Sequence, residues 1–232
     1  MIKLTYLVTV YNENKTVKRA IEDIINIKFS DKEIIIIDNG STDGSQQIIK
    51  TFSNKKGIKI ILRKKNLGFG QTILTGIKKA RGDYIYIQYS DLEYDHKKSI
   101  FMMNYAKKNN LDVVLGSRLK NNKKSKIALV FEKPAYLATL ICTFLINIFY
   151  NCKFTDIIGG KLYKTESIKK IKTNCFDQGF DFELISIICK QKLKVGEVFI
   201  KYFPRKDPSG KKIKFYHMYN ALYQIFKVRF FN

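Results

Sequence analysis

Residues 82–95 have the sequence Gly-Asp-Tyr-Ile-Tyr-Ile-Gln-Tyr-Ser-Asp-Leu-Glu-Tyr-Asp, in which an apolar run leads directly into carboxylates. Isoleucine and tyrosine favour extended, buried backbone, so residues 84–88 are predicted to form a strand inside a parallel sheet. Asp91, Glu93 and Asp95 follow at its carboxyl end, where open α/β sheets bind ligands. Carboxylates at alternate positions suit Mg2+ or Mn2+ carrying a substrate phosphate. A solvated acidic turn is the simpler alternative.

The chain before and after this strand alternates between strand-like and helix-like segments. The predicted strands are 3–10, 33–38, 58–62, 84–88 and 112–118, and the predicted helices are 15–27, 44–52, 68–80 and 97–108. This alternation predicts an α/β fold with a parallel sheet and right-handed crossovers.

The second half of the chain has a different pattern. Residues 135–150 are apolar throughout but fall short of the roughly 20 residues that a membrane span needs. They suit either a core helix or a helix lying at a membrane surface. Further predicted elements are a helix opening at 176 and ending near 190, a strand at 195–203, basic loops at 120–126 and 204–213, and a final helix with Tyr219, Leu222, Ile225 and Phe226 on one side.

The composition is strongly basic. Lys and Arg number 43 and Asp and Glu number 20, which gives a formal net charge of +23. Such an excess attracts nucleic acid, anionic lipid or a phosphate-rich substrate, although the abundance of Lys together with Ile, Asn, Phe and Tyr also indicates a general compositional bias. No nucleic-acid-binding motif is recognisable, so a nucleic-acid partner is not expected.

The cysteines and histidines indicate neither a zinc site nor a disulfide framework. The cysteines form no CxxC pair, and the chain has only two histidines. Reduced thiols in a cytosolic protein are therefore expected. The cysteines are Cys142, Cys152, Cys175 and Cys189, and the histidines are His96 and His217.

Residues 1–10 have strand character and are too short an apolar run for a signal peptide.

Several motifs in order along the chain resemble the inverting glycosyltransferases of family two. They are Tyr11-Asn-Glu13, Asp38-Asn-Gly-Ser-Thr-Asp43, Asn66-Leu-Gly68, Gly82-Asp83 and Ser90-Asp-Leu-Glu93. Later motifs resemble the branch of dolichol-phosphate mannosyltransferases and bacterial polyprenyl-phosphate sugar transferases. These are Gly116-Ser-Arg118, Thr155-Asp156, Gly159-Gly-Lys-Leu-Tyr163, Phe180-Asp-Phe-Glu183 and Pro204-Arg205.

The resemblance implies a GT-A fold, a Rossmann-like three-layer α/β/α sandwich that binds a UDP- or GDP-sugar through Mg2+ or Mn2+. By that similarity, the donor pocket comprises Thr9, Tyr11, Glu13, Asp38, Asp43, Gly68, Ser90 and Asp91. Asp91 and Glu93 are the implied metal ligands, and Arg118 and Arg205 would face phosphates. Asp156, Asp181 and Glu183 are the implied acceptor-side carboxylates. For Asp38 and Asp43 a helix-capping loop is the simpler alternative, and the two arginines also suit ordinary surface cations.

The resemblance also implies a single GT-A domain over residues 1–232. Residues 1–118 would bind the nucleotide-sugar and residues 119–232 the acceptor. A lipid-phosphate acceptor, with a second pKa of about 6, is already ionised near neutral pH and needs no general base. A sugar hydroxyl does need one, and Asp181 or Glu183 would be the first candidates.

Two positions depart from the family pattern. Tyr89 stands where the metal motif usually has its first aspartate, which should weaken cation binding. Thr9 stands where a proline usually precedes the Tyr-Asn-Glu motif.

The leading expectation is an enzyme that transfers a sugar to a polyprenyl phosphate, peripheral on the cytoplasmic face of a membrane. Transfer to a sugar hydroxyl in surface polysaccharide synthesis and a degenerate nucleotide-sugar-binding protein are the alternatives. A homo-oligomer or a membrane partner protein is also compatible with the sequence.

Overall fold

The computed structural model describes residues 2–120, 135–205 and 217–231. The strands are β1 (Leu4–Val10), β2 (Lys32–Asp38), β3 (Ile58–Leu62), β4 (Tyr84–Tyr89), β5 (Val113–Ser117), β6 (Gly160–Lys164) and β7 (Val195–Phe199). The helices are α1 (Val17–Ile25), α2 (Ser45–Lys50), α3 (Phe69–Lys79), α4 (Lys98–Lys108), α5 (Ala135–Tyr150), α6 (Thr165–Lys169), α7 (Phe180–Lys190) and α8 (His217–Phe230).

The strands form one seven-stranded sheet in the order β3-β2-β1-β4-β6-β5-β7. β6 runs antiparallel to both of its neighbours, and the other pairings are parallel. One apolar core lies between the sheet and α3, α5, α7 and α8, and a second lies on the opposite side under α1, α2 and α4. The predicted α/β class with a mostly parallel sheet is confirmed.

Strand β6, which joins the two predicted halves of the chain, is not among the predicted strands. β6 comes from the second half and pairs between β4 and β5 of the first. It has only five residues, two of which are lysines, so neither hydrophobic alternation nor length marks it as a central strand. Its Lys161 is nevertheless buried, because its ammonium group pairs with Asp181 and contacts the hydroxyl of Tyr89.

The predicted strand at 195–203 is too long at its carboxyl end. The ladder with β5 stops at Phe199, because β5 itself ends at Ser117. The chain then turns toward the loop after β4, where Tyr202 forms an isolated bridge with Tyr94. The helix expected from 176 begins at Phe180, and residues 172–176 belong to neither a helix nor a strand.

Other predictions concern the basic loops and the apolar helix. Residues 121–126 and 206–213, with Lys211, Lys212 and Lys214, lie outside the described residues. Helix α5 is confirmed at residues 135–150. Within the described part of the chain, no helix combines the length and apolarity needed to cross a membrane.

Gly76 allows α3 to approach β1 closely. A Cβ at Gly76 would lie 2.2 Å from the side chain of the fully buried Leu7. Gly76→Ala gains about 1 kcal/mol of helix propensity but overpacks the core at a cost of about 1–3 kcal/mol. We expect urea denaturation to show a net loss of about 1 kcal/mol.

The matched control is Lys78→Ala, an exposed change on the same helix, which should leave the midpoint almost unchanged. A stabilised Gly76→Ala variant would show that helix propensity outweighs the contact with Leu7.

Candidate active site

The candidate site lies where the sheet reverses its direction of growth. From β1 the chain builds outward through β2 and β3, then returns to place β4 on the other side of β1. Ligands of open α/β sheets bind at such a switch point, beyond the carboxyl ends of the strands. The loops that follow β1 and β4 carry Glu13, Asp91 and Glu93, and these three carboxylates are called the acidic cluster below.

Arg205 holds the acidic cluster together. Its guanidinium donates to Glu13 Oε1 over 2.7 Å and lies 3.6 Å from Asp91 Oδ2 and 3.7 Å from Glu93 Oε1. The Arg205 backbone N–H also donates to Glu93. Segments that are distant in the sequence therefore meet at Arg205, and its positive charge compensates carboxylates that are largely removed from water.

Asp91 is the member of the cluster that is best placed for a divalent cation. Its Oδ1 accepts the backbone N–H of Glu93, and its Oδ2 has only the longer ion pair with Arg205. Burial raises the pKa of Asp91 to about 6, and repulsion from Glu93 and Glu13 adds to this rise. A bound cation would favour the ionised form of this carboxylate.

The donors present fit Mg2+ or Mn2+ only as a shared site. In proteins Mg2+ is usually held by one or two carboxylates together with substrate phosphates and water. Asp91 offers such a ligand, whereas Glu93 also accepts the hydroxyl of Tyr202 at 3.0 Å. Across the described ranges, no group of three or more His, Cys, Asp or Glu side chains is arranged to hold a metal. A cation here would need further ligands from a bound phosphate group or from water.

Because Arg205 and a divalent cation would use the same carboxylates, they should compete. Arg205→Met is expected to strengthen binding of Mn2+ without nucleotide by about tenfold, since a nearby positive charge is removed. Isothermal titration with Mn2+ measures this. Arg19→Met, which removes an exposed arginine paired with Asp23, serves as the control and should bind Mn2+ like the wild type. Unchanged or weaker binding by Arg205→Met would contradict the competition.

The loop after β2 is built around two aspartates. Asp38 is fully buried and accepts the backbone N–H groups of Gly40 and Ser41, the Ser41 hydroxyl and the Gln46 amide. Asp43 accepts the backbone N–H groups of Asn14 and Ser45. These bonds hold the loops after β1 and β2 in a fixed relation. Donor binding by Asp38 and Asp43 stays a prediction.

The remaining predicted donor-pocket residues line the same edge of the sheet. Thr9 accepts the Ser90 hydroxyl through its backbone carbonyl, which joins the ends of β1 and β4. Tyr11 is half-buried in the next loop. Gly68 has a φ of 92°, and a Cβ there would lie 2.0 Å from the carbonyl oxygen of Phe176. The Gly68 position therefore requires glycine for packing, whatever its role toward a nucleotide.

Tyr89 is a neutral phenol in a mixed polar and aromatic environment. Its ring stacks on Phe69 and contacts Tyr94, and its hydroxyl accepts from Lys161 Nζ at 3.3 Å. Burial, followed by the charges of Asp181 and Asp91, holds the pKa of Tyr89 well above its usual value. At neutral pH this position therefore adds no negative charge for a cation, unlike the aspartate that the family pattern has there.

Asp181 is the counter-ion of Lys161. Lys161 Nζ lies 2.7 Å from Asp181 Oδ2, and both side chains are largely buried. Glu183, two residues later in the first turn of the same helix, is fully buried and accepts the backbone N–H groups of Asn174 and Cys175. The structure thus separates these two carboxylates: Asp181 lies beside Tyr89 and Lys161, and Glu183 fixes the loop before α7.

Arg118 and Asp156 form a buried bidentate pair. The Arg118 Nε and Nη2 atoms lie 2.6 and 2.9 Å from the carboxylate of Asp156. Asp156 is itself held through its backbone N–H by Glu197. The Arg118 guanidinium also lies over the ring of Tyr202, 5.4 Å from its centroid, and Tyr202 donates to Glu93. This chain of contacts links Arg118 to the acidic cluster.

Removing the charge of Asp156 should be costly because it takes the bidentate carboxylate away from the buried guanidinium of Arg118. Asp156→Asn is expected to lower the free energy of unfolding by about 3 kcal/mol, measured by urea denaturation. Asp31→Asn, at an exposed pair with Lys3, is the control and should leave the denaturation midpoint almost unchanged.

The pH dependence of this contribution has a definite sign. Burial raises the pKa of Asp156 and the charge of Arg118 lowers it, and the net direction is below the usual value. The stabilisation should be complete above the unfolded-state pKa near 4 and be lost as pH falls through the lower folded-state pKa. Equal acid sensitivity of the wild type and Asp156→Asn would contradict it.

Sequence reasoning assigned no role to three residues that connect the site. Lys161 lies inside the motif Gly159-Gly-Lys-Leu-Tyr163. The sequence feature that could have indicated its role is a lysine within a segment of small and apolar residues. Tyr94 and Tyr202 contact each other, with ring centroids 5.3 Å apart, and join the neighbourhood of Tyr89 to that of Arg118. No local pattern pairs residues so distant in the sequence.

Comparison with known proteins places the chain in a family. Residues 5–172 match the family described as Glycosyl transferase family 2. The chain belongs to glycosyl transferase family 2. A cholesterol galactosyltransferase of Borreliella burgdorferi is 30% identical over 209 residues, which cover 84% of this chain and 57% of that protein. A dolichyl-phosphate beta-glucosyltransferase of Trichomonas vaginalis is 24% identical, with 99% of this chain and 74% of that protein covered. The family 2 chain thus spans less than two thirds of the first relative.

Solved structures confirm the predicted GT-A fold of this family 2 glycosyltransferase. Glucosyl-3-phosphoglycerate synthase from Mycobacterium tuberculosis, in complex with Mn2+, UDP and glucosyl-3-phosphoglycerate, superposes with a TM-score of 0.70 at 13% identity. The match covers 98% of this chain and 80% of that one. At this identity the similarity establishes the fold and leaves the substrate open.

Proposed function

We propose that this family 2 glycosyltransferase transfers a sugar, with inversion, from a UDP- or GDP-sugar to a lipid-linked phosphate of the polyprenyl type. The acidic cluster with Arg205, at the switch point of the sheet, is the observation that carries the proposal. It concentrates ionised groups of both signs where a GT-A enzyme binds the diphosphate of its donor. We place the enzyme at the cytoplasmic face of a membrane, where such an acceptor is presented.

The arrangement of charges supports a role in stabilising the leaving group. Breaking the bond from the anomeric carbon leaves a nucleoside diphosphate with additional negative charge. Arg205 reaches the acidic cluster, and Arg118 lies behind Tyr202 on the same side of the sheet. A divalent cation held by Asp91, with Glu93 beside it, would supply further positive charge at the diphosphate.

The state of the acceptor-side carboxylates favours a phosphate acceptor over a hydroxyl. A hydroxyl must lose its proton to a base. Asp181 is paired with Lys161, Asp156 is paired with Arg118, and Glu183 accepts two backbone N–H groups. An ionised phosphate needs no base: one of its oxygens bonds to the anomeric carbon as the bond to the nucleoside diphosphate breaks, and a single displacement inverts the configuration.

The two relatives described above are named for lipids and differ on the reacting group, whereas another relative, from Staphylococcus epidermidis, is named a poly-beta-1,6-N-acetyl-D-glucosamine synthase. Of the first two, one is a cholesterol galactosyltransferase and the other a dolichyl-phosphate beta-glucosyltransferase, so one name indicates a hydroxyl and the other a phosphate. The acceptor experiment must therefore separate these two groups on the same lipid.

We expect calorimetric titration with UDP-, GDP- and dTDP-sugars to give binding of one donor that Mn2+ or Mg2+ strengthens and chelator weakens. Transfer of radiolabelled sugar is then measured to undecaprenyl phosphate and to undecaprenol, which lacks the phosphate. The proposal predicts product with the phosphate alone, and Asp91→Asn should lower the rate by about a hundredfold or more.

Asp95→Asn is the matched control, because Asp95 lies in the same segment and its carboxylate accepts the backbone N–H of Lys97. It should retain activity within a few-fold of the wild type. Product from undecaprenol would replace the phosphate acceptor by a hydroxyl acceptor. Donor binding without transfer to either lipid would favour a degenerate nucleotide-sugar-binding protein, and absence of donor binding under all conditions would contradict the proposal.

A further inference from the structure

Helix α5 has apolar side chains on both of its sides. Thr139, Cys142, Thr143 and Ile146 face the core and are buried. The opposite side carries exposed large apolar residues at a spacing of three to four, which is the helical repeat. These residues are Leu137, Ile141, Phe144 and Ile148.

Helix α8 repeats this arrangement. Ala221, Ile225 and Val228 are buried against the core. The opposite side again carries large exposed side chains at the helical repeat, all of them aromatic. They are Tyr219, Tyr223, Phe226 and Phe230. We call the eight exposed residues of α5 and α8 the two-helix surface.

The two helices lie side by side, so their exposed residues belong to one surface. Both pack on α7 and on each other. Phe149 of α5 meets the rings of Phe226 and Phe230 edge to face, with centroids 5.3 and 5.7 Å apart. Arg229 lies along this seam, over the rings of Phe149 and Tyr150.

A surface of this kind is unusual for a protein face that remains in water. Phe144, Tyr219 and Tyr223 are 63%, 67% and 61% exposed. A helix that is apolar on all sides is normally covered, and large contiguous apolar patches mark interaction sites. Some partner must therefore cover the two-helix surface in the working protein.

The charges on and around this surface favour one partner. Residues 135–150 contain no charged side chain, and residues 217–230 contain Lys227 and Arg229 but no Asp or Glu. The whole chain carries a net charge of +23. The two helices thus combine large apolar and aromatic side chains with basic residues and contain no acidic residue. This composition suits the interface of an anionic bilayer, where aromatic rings lie at the headgroup level and cations contact lipid phosphates.

A second copy of the chain is less suited to this face. Two such surfaces meeting would bring two basic proteins of the same sign together, whereas an anionic bilayer offers the opposite charge. We infer that α5 and α8 together dock the protein on an anionic lipid bilayer, with the eight side chains of the two-helix surface entering the headgroup region. This inference rests on the proposed function for its lipid-linked acceptor, but its test uses neither donor nor acceptor.

The test is flotation of the purified full chain with vesicles of phosphatidylglycerol and phosphatidylcholine, and with vesicles of phosphatidylcholine alone. We expect binding to both, stronger with phosphatidylglycerol. Phe144→Gln combined with Tyr223→Gln should lower the partition coefficient by about tenfold or more, because two buried ring contacts with lipid are lost. Both positions are exposed, so folding, measured by circular dichroism and thermal unfolding, should be retained.

Phe101→Gln is the matched control. Phe101 is an exposed phenylalanine, 50% accessible, on α4 at the opposite side of the sheet. Its loss should leave vesicle binding unchanged. If the double variant loses its folded circular dichroism spectrum, the single change Phe144→Gln is used, and it should still weaken binding to vesicles.

Two results would overturn the inference. The first is vesicle binding that is absent in the wild type, or that is equal in the wild type and in Phe144→Gln with Tyr223→Gln. The second is a dimer in sedimentation velocity without lipid that Phe144→Gln with Tyr223→Gln converts to a monomer, which would assign the surface to a second copy. Neither result depends on sugar transfer, so failure of the inference is distinguishable from failure of the proposed activity.

Discussion

The parallel pairing of β1 with β4 is the constraint on which the rest of the structure depends. The register sets Val8 opposite Gln88 and Thr9 opposite Tyr89, so both strands end at the same level of the sheet. The loop after β1 then places Glu13, and the loop after β4 places Asp91, beside the guanidinium of Arg205. Without this register the carboxylates would not meet, and Arg205 would have no common position from which to bind them.

The site is also a solution to the problem of burying charge. Each enclosed carboxylate near the sheet edge has a cation or several N–H groups: Asp156 has Arg118, Asp181 has Lys161, and Asp38 has its own loop. These partners fix the orientation of the carboxylates through contacts within the protein itself. Tyr89 fits this scheme, because a neutral phenol beside Lys161 avoids a second carboxylate next to Asp181.

Much of the fold followed from local patterns, and the exceptions have physical causes. The strands of the first half are apolar runs between turn residues. Each end of their predicted bounds either agrees with the observed end or differs from it by one residue. β6 was missed because pairing with β4 and β5, rather than its own composition, makes it a strand. From the sequence, α5 suited either a core helix or a helix at a membrane surface, and no exposed apolar side was predicted for α8. A helical repeat shows which residues share a side of a helix but not which side the core covers.

The sequence by itself determined the α/β class, the family and most of the residues at the candidate site, because motifs and hydrophobic periodicity are local properties of the chain. Only the tertiary structure decided what those residues touch. It placed Arg205 among Glu13, Asp91 and Glu93, enclosed Asp156 and Glu183, and put Tyr89 beside Lys161. Such pairings join segments up to 192 residues apart, and their energies come from burial and charge in three dimensions, which no stretch of sequence contains.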